Sequence, residues 1–258
     1  MSPSYDPVPD IERLGYTERE AAFLYLVAAH SGYCLRRQFL HFIDRDDGAM
    51  VQRFLQKANA REHLRPIEYA AGRHIYHLKA KLLYRLIAQP DSQNRREKSD
   101  REIKFRLMQL DYVLDHPGRK YLASEAAKVE YFHEVLKIPA TSLPRRGDPT
   151  SGSSRYFPDR MPIAVTERLG DSPLTSFAFV DEGQRSLSAF ERWLGQHANL
   201  LHALAHSEVV YVADTPRNLD GAEHEFLRRF STSRVKIRGH LLLYDYPLWS
   251  MKYRRATP

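Results

Sequence analysis

Cysteine is nearly absent: Cys34 is the only one in 258 residues. One thiol excludes an intrachain disulfide framework and any zinc site built from several cysteines. The residue reads as a small packed side chain near the start of a helix. Long apolar runs are absent as well. No segment approaches the ~18 unbroken apolar residues of a membrane helix. Residues 1–10 hold three prolines and two acids, not the basic start and apolar stretch of a secretory signal. A cytoplasmic location with no membrane partner is the expectation. Catalytic signatures are scarce: there is no Gly-x-Ser-x-Gly elbow, no phosphate-cradling Gly-Lys-Ser/Thr loop and no dinucleotide fingerprint. The twelve histidines are scattered. His63, His74 and His77 have no carboxylate at ligand spacing, and His197, His202 and His206 do not stack on one helix face, so no metal is expected there.

Apolar residues make up 43% of the chain, enough for a core in each of two domains, the number suggested by roughly 100–200 residues per domain. The net charge of +7 and pI near 9.4 favour an anionic partner. Residues 1–12 read as a flexible leader. Residues 91–101 carry almost no apolar side chain and read as a linker, which sets an N-terminal domain over 13–90 and a C-terminal domain over 102–258.

Three amphipathic segments open the first domain: Thr17–Ser31, Leu35–Ile43 and Asp47–Glu62. Thr17 and Glu20 have the spacing of a capping box. Leu24, Val27 and Ala28 follow at helical spacing, and Gly32 is placed to end the helix in a left-handed conformation. Asp46 or Asp47 is the expected cap of the third helix. A two-stranded ribbon, Leu64–Leu78, comes next, with its turn at Ala70-Ala71-Gly72, and then a closing helix over Lys79–Ala88. Three helices followed by a ribbon is the order of a winged helix-turn-helix, whose third helix enters the major groove of DNA. The groove-reading set expected on that helix is Gln52, Arg53, Gln56 and Lys57, since Arg pairs with guanine and Gln with adenine. Arg36, Arg37, Arg61, Arg65, Arg73 and Lys79, spread over the second helix, the third helix and the ribbon, are expected to meet phosphates. Double-stranded DNA is therefore the expected partner.

The second half reads as helices at Ile103–Leu114 and Ser124–Leu136, then strands at Met161–Val165, Leu174–Val180, Glu208–Ala213 and Val235–Tyr244, with a strong helix at Ser186–Leu204. Strands alternating with a helix indicate an α/β or α+β domain. Tyr156-Phe157-Pro158-Asp159 leads into the first strand. The second ends in Val180-Asp181-Glu182-Gly183 and runs through Ser186 into Phe190-Glu191-Arg192-Trp193-Leu194. A Pro-Asp before one strand and acids at the end of the next is how a PD-(D/E)xK nuclease presents carboxylates to Mg²⁺.

In these motifs and in layout the chain resembles the replication-relaxation family of plasmids and conjugative elements. The resemblance implies an α+β protein: an N-terminal winged helix followed by an α/β, restriction-endonuclease-like domain. Phe179 stands where the family pattern places a strand acid, and Gly183 and Gln184 stand where a lysine would follow Asp181 or Glu182. The expected second domain is therefore non-catalytic, serving dimerisation or a protein partner. The chain is expected to be a homodimeric, nucleoid-associated DNA-binding protein, a transcriptional regulator or a replication or transfer accessory factor of a mobile element, and not an enzyme. The alternatives are a Mg²⁺-dependent DNA endonuclease using Asp159, Asp181 and Glu182, and a winged helix that binds protein only. The basic tail, Lys252 to Arg255, is a further candidate for DNA contact.

Overall fold

Thr17 starts the first long helix through reciprocal bonds. In the computed structural model, which describes residues 6–45, 48–70, 72–147, 155–168, 170–231 and 236–244, its hydroxyl accepts from the Glu20 amide at 3.4 Å and its own amide donates to Glu20 Oε2 at 2.8 Å. Two of the donors left open at the helix start are thereby satisfied. This helix, α2, spans Glu18–His30 and follows a short helix, α1, Val8–Glu12. The expected flexible leader is thus corrected over residues 8–12: a proline in the first turn is compatible with a helix, and Ile11 is fully buried.

Gly32 ends α2 at φ +84°, and a Cβ there would lie 2.0 Å from the Asn94 carbonyl oxygen. The chain then forms β1, Tyr33–Leu35, α3, Arg36–Phe42, and α4, Ala49–Ala60. The N-cap of α4 is Gly48; Asp46 and Asp47, the expected caps, lie outside the described residues, as do Val235 and the basic tail. Strands β2, Leu64–Ala70, and β3, Arg73–Leu78, form the ribbon, and α5, Lys81–Leu86, follows. The sheet order is β1-β3-β2, antiparallel throughout, with Cys34 opposite Tyr76 and Ile67 opposite Ile75. Strand β1 stands where a helix was expected to begin. Its three residues are all buried, so no alternation marks it. Phe23, Phe39 and Phe54 centre the core, with Phe39 and Phe54 rings 4.2 Å apart.

The expected linker is also corrected. Its polar residues serve the backbone: Asn94 is buried and its amide donates to the Ala28 and Ala29 carbonyls at the end of α2. Helix α6, Asp100–Leu114, then packs on α2, β1 and α3. The first unit consequently runs to Asp115, and the second begins at His116.

The second unit has a five-stranded mixed sheet. It comprises β4, Lys120–Tyr121, β7, Ile163–Arg168, β8, Asp171–Asp181, β9, His206–Ala213, and β10, Lys236–Leu243. Its order is β10-β9-β8-β7-β4; β7 runs antiparallel to both neighbours, and β8, β9 and β10 are parallel. Between β4 and β7 lie α7, Glu125–Val129, a π-helical turn over Glu130–Val135, and a small ribbon of β5, Arg145–Arg146, and β6, Arg155–Tyr156. Helix α8, Leu187–Ala203, buries Phe190, Trp193, Leu194 and His197 at helical spacing, and its Phe190 and Trp193 cover Phe179 of β8. Helix α9, Leu219–Phe230, rests Phe226 over Gly239 of β10, where a Cβ would come within 2.8 Å of the ring.

Gly32 and Gly72 both hold positive φ, but only Gly32 is sterically closed; Gly72 has nothing within 4 Å of a Cβ. The left-handed strain of an L-residue is roughly 1–2 kcal/mol, and a carbonyl contact adds to it. Gly32→Ala should cost more than about 2 kcal/mol in urea unfolding and Gly72→Ala about 1. Equal losses would show that the Asn94 contact does not constrain the chain.

Candidate functional site

Helix α4 buries Val51, Phe54, Leu55 and Ala58, a spacing of three and four that fixes its rotation. Gln52, Arg53 and Gln56 are thereby exposed. Among the described residues their side chains make no hydrogen bond or ion pair. Arg73 opens β3 at the ribbon turn, also exposed. Beside it Glu68 Oε1 accepts from the Gly72 amide at 3.2 Å, holding the turn. Tyr69 feels the charges of Arg73 and Arg37, which brings the ribbon tip and the start of α3 into one electrostatic neighbourhood. Burial, the larger effect, raises the Tyr69 pKa.

The other expected DNA contacts divide by what holds them. Arg37 makes a bidentate pair with Asp111 of α6, both bonds at 2.8 Å. Burial raises the Asp111 pKa, against the pull of Arg37. Lys57 pairs with Glu20, donates to the Gly15 carbonyl and lies over the Tyr16 ring. Arg61 donates to the Leu14 carbonyl at 2.6 Å and also covers Tyr16. Arg65 pairs with Glu97 at 3.0 Å. These four brace neighbouring segments of the first unit. Arg36 is the exposed first residue of α3, and Lys79 is exposed after β3. His63 and His77 are packing residues: His63 Nδ1 meets the Tyr16 hydroxyl at 2.8 Å, and His77 stacks on Tyr33 at 4.3 Å.

In the second unit Asp181 ends β8 as a turn-former. Its Oδ1 accepts from the Gly183 and Arg185 amides, and its Oδ2 from the Tyr211 hydroxyl and the Asn218 amide. Burial, reinforced by Asp181, pushes the Tyr211 pKa up. Glu182 is engaged by Arg185 at 2.7 Å. Among the described residues no group of three or more His, Cys, Asp and Glu side chains is placed to hold a metal ion.

Asp159 has a different setting, which sequence reasoning missed. Its Oδ1 accepts from the Met161 amide at 2.9 Å. Its Oδ2 is buried, has no hydrogen bond, and lies 3.7 Å from His197 Nε2, which is also buried and unbonded. His197 Nδ1 is 2.9 Å from the Trp193 carbonyl. A carbonyl only accepts, so Nδ1 carries the hydrogen, and the Nε2 of a neutral ring presents a lone pair to the carboxylate. Burial lowers the His197 pKa. Lys128, buried in α7, donates to the Met161 carbonyl at 2.9 Å, with its ammonium 5.5 Å from the centre of the Phe157 ring. Phe157 and Arg160, either side of Pro158-Asp159, hold φ of 47° and 57°, a left-handed geometry uncommon outside glycine. Asp159 thus sits in a strained loop facing a buried lysine and a buried histidine. These residues are too far apart in sequence for any spacing to have joined them.

No family model, curated protein or solved structure matches the chain.

Burial lowers the Lys128 pKa from 10.5 to about 8, with the Asp159 charge opposing. Between those values the unfolded chain holds the proton that the folded chain has released, so stability rises with pH. Relative to Lys128→Met, the wild type should gain on the order of 3 kcal/mol across pH 8 to 10.5 in urea unfolding, from 1.36 kcal/mol per pKa unit. Parallel pH profiles would show that the ammonium is hydrated in the folded chain.

Proposed function

We propose that the first unit is a winged helix that binds double-stranded DNA, with α4 in the major groove and the β2–β3 ribbon against the backbone. The observation that carries this reading is the pairing of an exposed, unbonded Gln52–Arg53–Gln56 face on α4 with an exposed Arg73 at the ribbon turn. The element order α2-β1-α3-α4-β2-β3 and the sheet order β1-β3-β2 support it. The net charge of +7 favours the same partner. Arg73, Arg36 and Lys79 are the proposed phosphate contacts, which fix register, while α4 reads base edges.

The second unit is proposed as a nuclease-like α/β domain that dimerises the protein or engages a partner. A mixed sheet with one antiparallel strand, Asp159 before β7 and Asp181 at the end of β8 support the likeness. Phe179 packed under Phe190 and Trp193, and an Asp181 carboxylate used up in a turn, favour a non-catalytic role. The protein would then act as a regulator, or as a replication or transfer accessory factor of a mobile element, at the nucleoid. The strained loop and unbonded Oδ2 of Asp159 favour a second reading, a Mg²⁺-dependent endonuclease. A plasmid-nicking assay with Mg²⁺ separates the two: cleavage abolished in Asp159→Ala would support the enzyme, and intact plasmid supports the binding role.

Arg53→Ala with Arg73→Ala should weaken duplex binding at least about tenfold and flatten the slope of log K against log salt, by about 0.9 for each phosphate no longer neutralised. Fluorescence anisotropy over a salt series measures both, with Arg65→Ala as the control. Unchanged affinity and slope would remove the winged-helix reading of α4 and the ribbon.

A further inference from the structure

The small β5–β6 ribbon of the second unit places cations where a sheet disfavours them. Arg146 stands directly opposite Arg155, and Arg145 opposite Tyr156. Directly opposed residues of an antiparallel pair share one face, with Cβ atoms about 4.5–5.5 Å apart, and like charges there repel. All three arginines are exposed. Arg155 is 3.4 Å from Glu125, which also accepts from the Tyr156 amide at 2.6 Å and so ties the ribbon to α7. The side chains of Arg145 and Arg146 have no hydrogen bond or ion pair among the described residues. Among the described residues one carboxylate, Glu125, thus stands beside the opposed Arg146–Arg155 pair, and Arg145 projects from the ribbon's other face. The ribbon continues into the Asp159 loop, since the Phe157 amide donates to the Pro144 carbonyl at 2.9 Å.

From this arrangement we infer that the β5–β6 ribbon is a second nucleic-acid contact, in which Arg145, Arg146 and Arg155 bind the phosphodiester backbone. A row of phosphates relieves the repulsion between Arg146 and Arg155 and matches the planar, multi-donor form of guanidinium. Among the described residues, β5 and β6 present no exposed apolar side chain for a protein partner to bury. Contacts of this kind read no sequence; they add affinity and salt dependence.

The inference rests on the protein being a DNA binder, and two double variants of the full chain separate the claims. Binding of a 30-base-pair duplex and of a single strand of the same length is followed by anisotropy over a salt series. Arg145→Ala/Arg146→Ala should lower duplex affinity about tenfold, reduce the salt slope by about two, and leave the melting temperature unchanged. Arg145→Lys/Arg146→Lys should keep most of the slope. The single-strand arm shows whether the backbone alone suffices or a duplex is required. An unchanged slope in the alanine variant, while Arg53→Ala/Arg73→Ala still weakens binding and flattens its slope, overturns the ribbon contact and leaves the α4 interface standing. The reverse pattern removes the α4 interface and keeps the ribbon. A wild type that binds neither nucleic acid overturns both. Loss of binding to polyglutamate or to phosphatidylserine vesicles, with DNA binding intact, assigns the arginines to another anionic partner and overturns the inference.

Discussion

Phe54 decides which way α4 faces. Its ring packs on Phe23 and Phe39, with Tyr16 at its edge, and it is fully buried. Truncating a ring so enclosed typically costs roughly 3–5 kcal/mol, so the helix cannot roll without forfeiting much of a marginal stability. Once Val51, Phe54, Leu55 and Ala58 are inside, the 3.6-residue period leaves Gln52, Arg53 and Gln56 outside. The proposed interface is thus a consequence of core packing, not of any bond that the polar residues make themselves.

The same packing sorts the cations. Lys57 and Arg61 fasten α4 to the turn at Leu14–Tyr16, and Arg37 fastens α3 to α6 through Asp111. Removing one partner from such a half-buried pair leaves the other charge uncompensated. Weaker DNA binding in a Lys57, Arg61 or Arg37 variant would therefore confound DNA contact with stability. Arg53, Arg73, Arg145 and Arg146 are cleaner probes, because among the described residues their side chains make no hydrogen bond or ion pair that a substitution would break.

Local signals were legible in the sequence. The Thr17–Glu20 box, the left-handed Gly32 and the apolar spacing of α4 each depend on residues within a turn or two. The ribbon was legible because Gly72 stands between two β-rich runs. Elements held by distant partners were not. Nothing in the run 91–101 announces that Asn94 caps α2, and Arg37 and Asp111 are 74 positions apart. Strand β1 is three buried residues, too short for a period. Helix α9 carries Leu219, Ala222, Phe226 and Phe230 at helical spacing, a legible stripe that sequence reasoning missed. In the candidate sites, Gln52, Arg53 and Gln56 were readable from helical phase, whereas the pairing of Asp159 with His197 and Lys128 exists only in the folded chain. Asp181 was a metal ligand only in the alternative reading, and its carboxylate accepts from the Gly183 and Arg185 amides at the turn.

Recognition as proposed depends on α4 and the ribbon turn meeting DNA. The most direct measurement is a titration of ¹⁵N-labelled full-length protein with a duplex, followed by amide shifts. The largest changes should fall on residues 52–56 and 72–74, growing as salt is lowered. Shifts confined to other surfaces, or a spectrum indifferent to duplex at low salt, would contradict the proposal.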